Sequence, residues 1–107
     1  MPQAGNGVAV VIPTFNEAEA IGAVVTALPR DIVDRVIVAD GGSTDETAEV
    51  ARRAGAEVVN AGNGYGRACL VGAKAAGDVD IVVFMDGDGA DDQIGRASCR
   101  ERVYDLV

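Results

Sequence analysis

The chain alternates short, wholly apolar runs with longer stretches in which apolar residues recur every three or four positions. Val8 to Ile12 is a continuous run that ends at Pro13, Val36 to Ala39 is a second, Val79 to Met85 is a longer one interrupted by Asp80, and Glu57 to Asn60 is a short run with polar ends. Runs of this length, rich in β-branched residues, predict buried strands. Between them, Ile21, Val24, Val25 and Leu28 share one helical face within Glu17 to Leu28, and Pro29 closes that segment. Ser43-Thr44-Asp45-Glu46 reads as a capping box for a second helix, which runs to Ala54 with Gly55 as its C′ residue. Gly62 to Gly66 leads into a third helix near Arg67 to Ala76, stopped by Gly77. Strands alternating with helices predict an α/β fold, a Rossmann-like open parallel sheet with flanking helices and right-handed crossovers.

In such sheets ligands collect beyond the carboxyl ends of the strands. Asn16 with Glu17, Asp40, Asn60 with Arg67, and Asp86 with Asp88 all stand at predicted ends of this kind. The last pair is the most informative. In extended backbone residues 86 and 88 project to one side, and Gly87 between them lets a ligand approach the main chain. Two carboxylates about 4 Å apart repel by roughly 4 kcal/mol at an effective dielectric near 20. A divalent cation relieves that repulsion, and few, hard oxygen ligands suit Mg²⁺ or Mn²⁺ with phosphate oxygens completing the shell.

Composition narrows the field. With 107 residues, 49% hydrophobic, the chain has room for one small domain with a packed core. Aromatic residues make up 4% and Trp is absent, so Val, Ile, Leu and Ala must build that core. A formal net charge of −8 argues against a nucleic-acid backbone as partner. An acidic protein that handles anionic phosphates needs a cation between the two, in keeping with the carboxylate pair. The absence of His excludes imidazole catalysis and His-ligated zinc, and Cys69 and Cys99 form neither a disulfide framework nor a zinc spacing. No apolar run approaches the roughly 18 residues of a membrane span, and no signal peptide precedes Gly7, so a cytosolic location is expected. From Gln93 the periodicity stops and the charge balance turns basic through Arg96, Arg100 and Arg102. Ile94 to Val103 resembles a translated sequencing adapter. Residues 1–92 are therefore expected to be the folded unit and residues 93–107 a non-native tail.

Three segments carry a family resemblance. Val11-Ile12-Pro13-Thr14-Phe15-Asn16-Glu17, then Ile37-Val38-Ala39-Asp40-Gly41-Gly42-Ser43-Thr44-Asp45-Glu46-Thr47, then Asp86-Gly87-Asp88 together resemble glycosyltransferase family 2 across residues 8 to 92. The resemblance implies the N-terminal half of a GT-A domain, similar to dolichyl-phosphate-sugar synthases, and a nucleoside-diphosphate sugar as donor. It implies donor contacts from Pro13, Phe15, Glu17, Val38, Asp40, Asp86 and Gly87, and from Arg67 to the diphosphate. It makes Asp88 the leading metal ligand, with Asp86 reaching the ribose or the metal. It further implies inversion by direct displacement with a carboxylate base from the second half of the domain. A chain ending here is then expected to bind a donor without turning it over. The sugar, the base and the acceptor stay open, a polyprenyl phosphate being one acceptor that relatives use.

Simpler readings of the same residues also stand. Pro13 serves as a strand terminator, Asn16 as the N-cap of the first helix, Arg67 as a solvated helix residue, and Asp45 and Thr47 as residues that order a loop. Gly41 departs from the family pattern, which often carries a second aspartate there. Among rival functions, a calcium loop opening at Asp86 would have Ala90 and Ala97 at two ligand positions. A Rossmann oxidoreductase would place G-x-G-x-x-G after the first strand, whereas Gly62, Gly64 and Gly66 follow the third. A nucleotidyltransferase sharing this sheet would carry a glycine- and Lys/Arg-rich loop where Pro13 to Glu17 stands.

Overall fold

The computed structural model describes residues 7–87. Asp88, the boundary expected after Asp92 and the tail beyond it lie outside the described residues. The elements run β1 (Val8–Thr14), α1 (Ala18–Thr26), β2 (Arg35–Asp40), α2 (Thr47–Arg53), β3 (Glu57–Asn60), α3 (Tyr65–Ala76) and β4 (Ile81–Phe84). All strand pairs are parallel, and the sheet order is β3-β2-β1-β4. The α/β architecture with flanking helices is thus the one expected from the pattern.

Successive residues of β1 and β2 serve opposite faces of the sheet. Val10, Ile12, Val36 and Val38 pack with Ile21 and Val25 of α1 and Ala51 of α2. Ala9, Val11, Ile37 and Ala39 pack with Ala68 and Ala76 of α3. Because both faces are covered, the two inner strands need apolar residues at every position, which is why they read as unbroken runs. Burial of a side chain such as Ile21 or Val25, each 0% exposed, contributes about 1.5–3 kcal/mol.

Two strand expectations are corrected. β1 does not stop before Pro13; it continues through Pro13 and Thr14, paired with Ala39 and Asp40. Met85 N–H donates to the Val11 carbonyl on the β4 side, and Gly41 N–H to the Thr14 carbonyl on the β2 side. Pro13, two residues after Val11, therefore faces the β4 side, where pairing ends at Val11 and Phe84. Its missing N–H removes no ladder bond. β4 is shorter than Val79 to Met85 and stands at the sheet edge among the described residues, with Ile81 40% exposed rather than buried.

Other features set the frame. α2 ends as expected, with Gly55 at φ 104°, its N–H donating to Arg52 and that of Ala56 donating to Ala51, the double bond pattern of a Schellman motif. α3 lies close on the sheet because residue 72 is glycine. A Cβ there would overlap Val11 Cγ1 and stand 3.4 Å from Ala39 Cβ. At the amino ends of the strands, Arg35 forms a two-bond pair with Glu57 of β3, at 2.8 and 2.7 Å. The same guanidinium donates to the carbonyls of Ala75 and Ala76 at the end of α3. Glu57 holds the Arg35 pKa above its ordinary value, and Arg35 holds that of Glu57 below.

Candidate active site: a cleft at the carboxyl ends of the strands

The strands end in loops that meet over one cleft of about 370 Å³. Pro13, Thr14, Phe15 and Glu17 line it from the end of β1, Gly41 from the end of β2, and Asp86 with Gly87 from the end of β4. Asn63, Gly64, Tyr65 and Ala68 close it from the start of α3. The backbone beyond each strand is held tightly. Gly41 N–H donates to the Thr14 carbonyl and Ala61 N–H to the Asp40 carbonyl, each at 2.8 Å, which extends the ladder by one residue. A Cβ at Gly41 would stand 3.2 Å from the Gly62 carbonyl oxygen and 3.3 Å from that of Thr14, so a side chain would crowd the cleft floor. A Cβ at Gly87 would lie 2.7 Å from Thr14 Cγ2. The turn after β4 thus rests directly on the end of β1, which brings Asp86 to the same cleft as Phe15 and Glu17.

The loop between β2 and α2 is organised by side chains, and not by the capping box expected at Ser43. The Ser43 hydroxyl donates to Asp40 Oδ1 at 2.6 Å, its N–H donates to Asp40 Oδ2 at 3.0 Å, and Thr14 Oγ1 also donates to Asp40 Oδ1. Asp45 accepts from the Thr47 N–H at 2.9 Å and from the Thr47 hydroxyl. That hydroxyl holds the Asp45 carboxyl below the usual carboxylate range, with the backbone N–H groups of Thr47 and Ala18 adding to the effect. Neither Ser43 nor Glu46 caps α2, whose N-cap position, Glu46, makes no side-chain cap bond.

Nor does Asn16 cap α1. It takes a left-handed backbone, φ 55°, and its amide oxygen accepts from Thr44 N–H at 2.8 Å. The start of α1 is capped from the other loop instead. Thr47 Oγ1 accepts from Glu17 N–H at 2.8 Å, and Asp45 Oδ2 accepts from Ala18 N–H at 3.3 Å.

Of the donor-binding residues expected from sequence, Pro13, Phe15, Glu17, Asp86 and Gly87 come together in the cleft. Three do not. Val38 is fully buried on the α1/α2 face of the sheet, because alternation along β2 turns it into the core. Asp40 stands at the strand end but turns to Thr14 and Ser43, and is not among the lining residues. Arg67 stands on the first turn of α3 with its Nε donating to the Ala61 carbonyl at 3.1 Å, outside the lining set. Sequence reasoning missed Thr14, Asn63 and Tyr65. The positive φ angles of Gly62 and Gly64, 72° and 104°, bend the chain so that the residues around them face the cleft, and the glycine spacing was the visible signal.

Charge is unevenly placed. Glu17, Glu19, Asp40, Asp45, Glu46, Glu49 and Asp86 gather at the cleft end, and Arg67 is the one base there among the described residues. Arg30, Arg35, Arg52, Arg53 and Lys74 occupy the other end, at or beyond helix C-termini and at the start of β2. No group of three or more His, Cys, Asp or Glu side chains converges on a metal position among the described residues. Glu17 and Asp86 supply hard oxygen donors to the cleft, and this fits an ion that draws most of its shell from a phosphate ligand, with Asp88 next in sequence. No described helix is long and apolar enough to cross a membrane.

Known proteins share this arrangement. The family model for glycosyl transferase family 2 matches residues 9–94. An uncharacterized glycosyltransferase of Mycobacterium tuberculosis is 46% identical over 90 residues, covering 83% of this chain and 40% of its own length. The glucosyl-3-phosphoglycerate synthase of Mycolicibacterium smegmatis is 40% identical over 100 residues, covering 80% of this chain and 32% of the synthase. The crystal structure of the Mycobacterium tuberculosis synthase in complex with Mn²⁺, UDP-glucose and phosphoglyceric acid superimposes with a TM-score of 0.67 at 40% identity. That match covers 78% of this chain and 34% of the synthase chain. The chain therefore spans well under half the length of the relatives it matches, and within that span it belongs to glycosyl transferase family 2.

Proposed function

We propose that this chain is the donor-binding part of an inverting, metal-dependent glycosyltransferase that takes its sugar from a nucleoside diphosphate. The observation that carries the reading is the convergence of Phe15, Glu17 and Asp86-Gly87 with the start of α3 on one cleft. An exposed aromatic ring beside the cleft offers a stacking surface for a base. The N-terminus of α3 carries partial positive charge suited to a diphosphate. The surrounding carboxylates repel that same diphosphate unless a cation intervenes, so binding should depend on a divalent ion held by Asp86 and Asp88. When bound, such an ion would supply neutralisation of the charge that develops on the departing diphosphate. The related synthase held with Mn²⁺ and UDP-glucose supports a uridine nucleotide and this class of ion. The acceptor is a separate question: the same relative is held with phosphoglyceric acid, and a lipid phosphate is the alternative suggested by the family resemblance.

Titration calorimetry tests the reading. UDP-glucose should bind in the presence of Mn²⁺, lose its affinity when EDTA is added, and bind weakly to Asp86→Ala and Asp88→Ala chains whose far-UV circular dichroism is unchanged. Equal affinity with and without the metal would remove the basis of the proposal. Calcium binding in the absence of any nucleotide affinity would favour a calcium loop instead.

A further inference from the structure

Resting on the nucleotide-sugar reading, we infer that Asn16 is a positioning residue for donor binding: it locks the β1–α1 turn to the β2–α2 loop and so holds Phe15 and Glu17 in the cleft. The N–H groups of residues 16, 17 and 18 donate in succession to Ser43 Oγ at 2.8 Å, Thr47 Oγ1 at 2.8 Å and Asp45 Oδ2 at 3.3 Å. Every acceptor lies between Ser43 and Thr47, in the β2–α2 loop and the first residue of α2, so this turn takes its shape from its neighbour. Asn16 closes the clamp in the reverse direction, its Oδ1 accepting from the Thr44 N–H at 2.8 Å. Ser43 passes the linkage on to Asp40 and thence to Thr14, which lines the cleft.

The need for asparagine is specific. Among the described residues Asn16 is the one non-glycine residue with positive φ, a conformation that Asn tolerates better than most side chains. That backbone turn lets Phe15 and Glu17 both line the cleft, while the Asn16 side chain turns to Thr44 and is not part of the lining. Phe15 is 56% exposed, so core packing does not set where its side chain starts from; the backbone on either side does. A base stacked on a ring held this way loses less freedom on binding than one that must first order the turn.

The experiment compares Asn16→Gly, Ser43→Ala and the double variant with the parent chain. Asn16→Gly can hold the same positive φ and removes the clamp to Thr44, but it also frees the backbone; Ser43→Ala removes the acceptor of the Asn16 N–H with residue 16 unchanged, and so separates the two effects. Two readouts are taken well below the melting transition: amide hydrogen exchange at residues 16–18 without ligand, and affinity for UDP with Mn²⁺. Asn16→Gly should exchange about tenfold faster at Glu17 and Ala18 and bind UDP about tenfold more weakly, the change that loss of the Thr44 N–H bond at 2.8 Å produces, the bond from the Thr44 hydroxyl being long at 3.4 Å. The double variant should lose less than the two single losses combined, because both act on one junction. Unchanged exchange at those amides, or faster exchange with unchanged UDP affinity, overturns the inference. If the parent chain binds no UDP, the nucleotide reading fails on its own. The exchange comparison then still decides the clamp, faster exchange in both Asn16→Gly and Ser43→Ala upholding it and unchanged exchange in Ser43→Ala refuting it.

Discussion

The close seat of α3 on the sheet makes one substitution diagnostic. Gly72 faces Val11 and Ala39, both 0% exposed, and a methyl group at position 72 would overlap Val11 Cγ1. Neither neighbour can turn aside, because Val11 belongs to an inner strand and Ala39 has no rotamer to change. Gly72→Ala must therefore lift the helix or distort β1. Overpacking costs about 1–3 kcal/mol, and direct overlap with Val11 Cγ1 places this case in the upper part of that range, about 2–3 kcal/mol, while alanine regains about 1 kcal/mol of helix propensity. A net loss of about 1–2 kcal/mol should lower the melting temperature by roughly 5–15 °C for a domain of this size. Gly66 lies on the same helix with nothing within 4 Å of the position its Cβ would take, so Gly66→Ala should be neutral or stabilising by up to about 1 kcal/mol. Thermal and urea unfolding followed by circular dichroism give both values. A Gly72→Ala chain as stable as the parent would refute the packing argument, and an equal loss in Gly66→Ala would show that the effect is not steric. Because Asn63, Gly64 and Tyr65 sit at the start of α3, lifting the helix should also weaken nucleotide binding in the first variant and spare it in the second.

Further outcomes follow from the loops. Thr47→Val preserves shape but removes the acceptor of Glu17 N–H and the donor to Asp45, which should cost about 1–3 kcal/mol in urea unfolding; an unchanged midpoint would mean that water replaces the hydroxyl. Gly87→Ala places a methyl group 2.7 Å from Thr14 Cγ2 and should displace Asp86 from the cleft, so UDP affinity with Mn²⁺ should fall by more than stability does. Acid should destabilise the fold: Asp45 and Glu57 titrate below their ordinary values of 3.8 and 4.5, held down by the Thr47 hydroxyl and by Arg35. With folded values depressed, their contribution is complete above the ordinary range and fades as pH falls through the lower folded values. Urea midpoints should therefore be level from roughly pH 5 to 7 and decline below about pH 4, and Glu57→Gln should flatten part of that decline.

The inner strands were legible because each is covered on both faces and must be apolar throughout, and the parallel pairing because strands alternate with helices. α3 was legible because Gly62, Gly64 and Gly77 mark its ends through backbone geometry alone. The caps were not. Ser43 and Glu46 have the spacing of a local capping box, yet Ser43 finds a closer partner in Asp40 and the start of α1 is served by Asp45 and Thr47. Spacing along one segment cannot rank such competing partners from another. Val38 makes the complementary point, since membership of a motif says nothing about which face of the strand a side chain occupies, whereas alternation does. Asn63 and Tyr65 escaped notice because the direction of residues at a loop–helix junction depends on dihedral angles that composition does not reveal.

The borrowed caps of α1 carry a consequence for how the chain acquires its shape. A nine-residue helix is marginal by itself in water, and this one obtains its first-turn acceptors from residues 27 to 30 positions further along the chain. During synthesis α1 cannot settle until Thr47 has left the ribosome, so the earliest stable nucleus must include β2 and the segment after it. A peptide ending at Leu28 should stay largely unstructured, and one extended through Ala54 should gain helicity in both segments together.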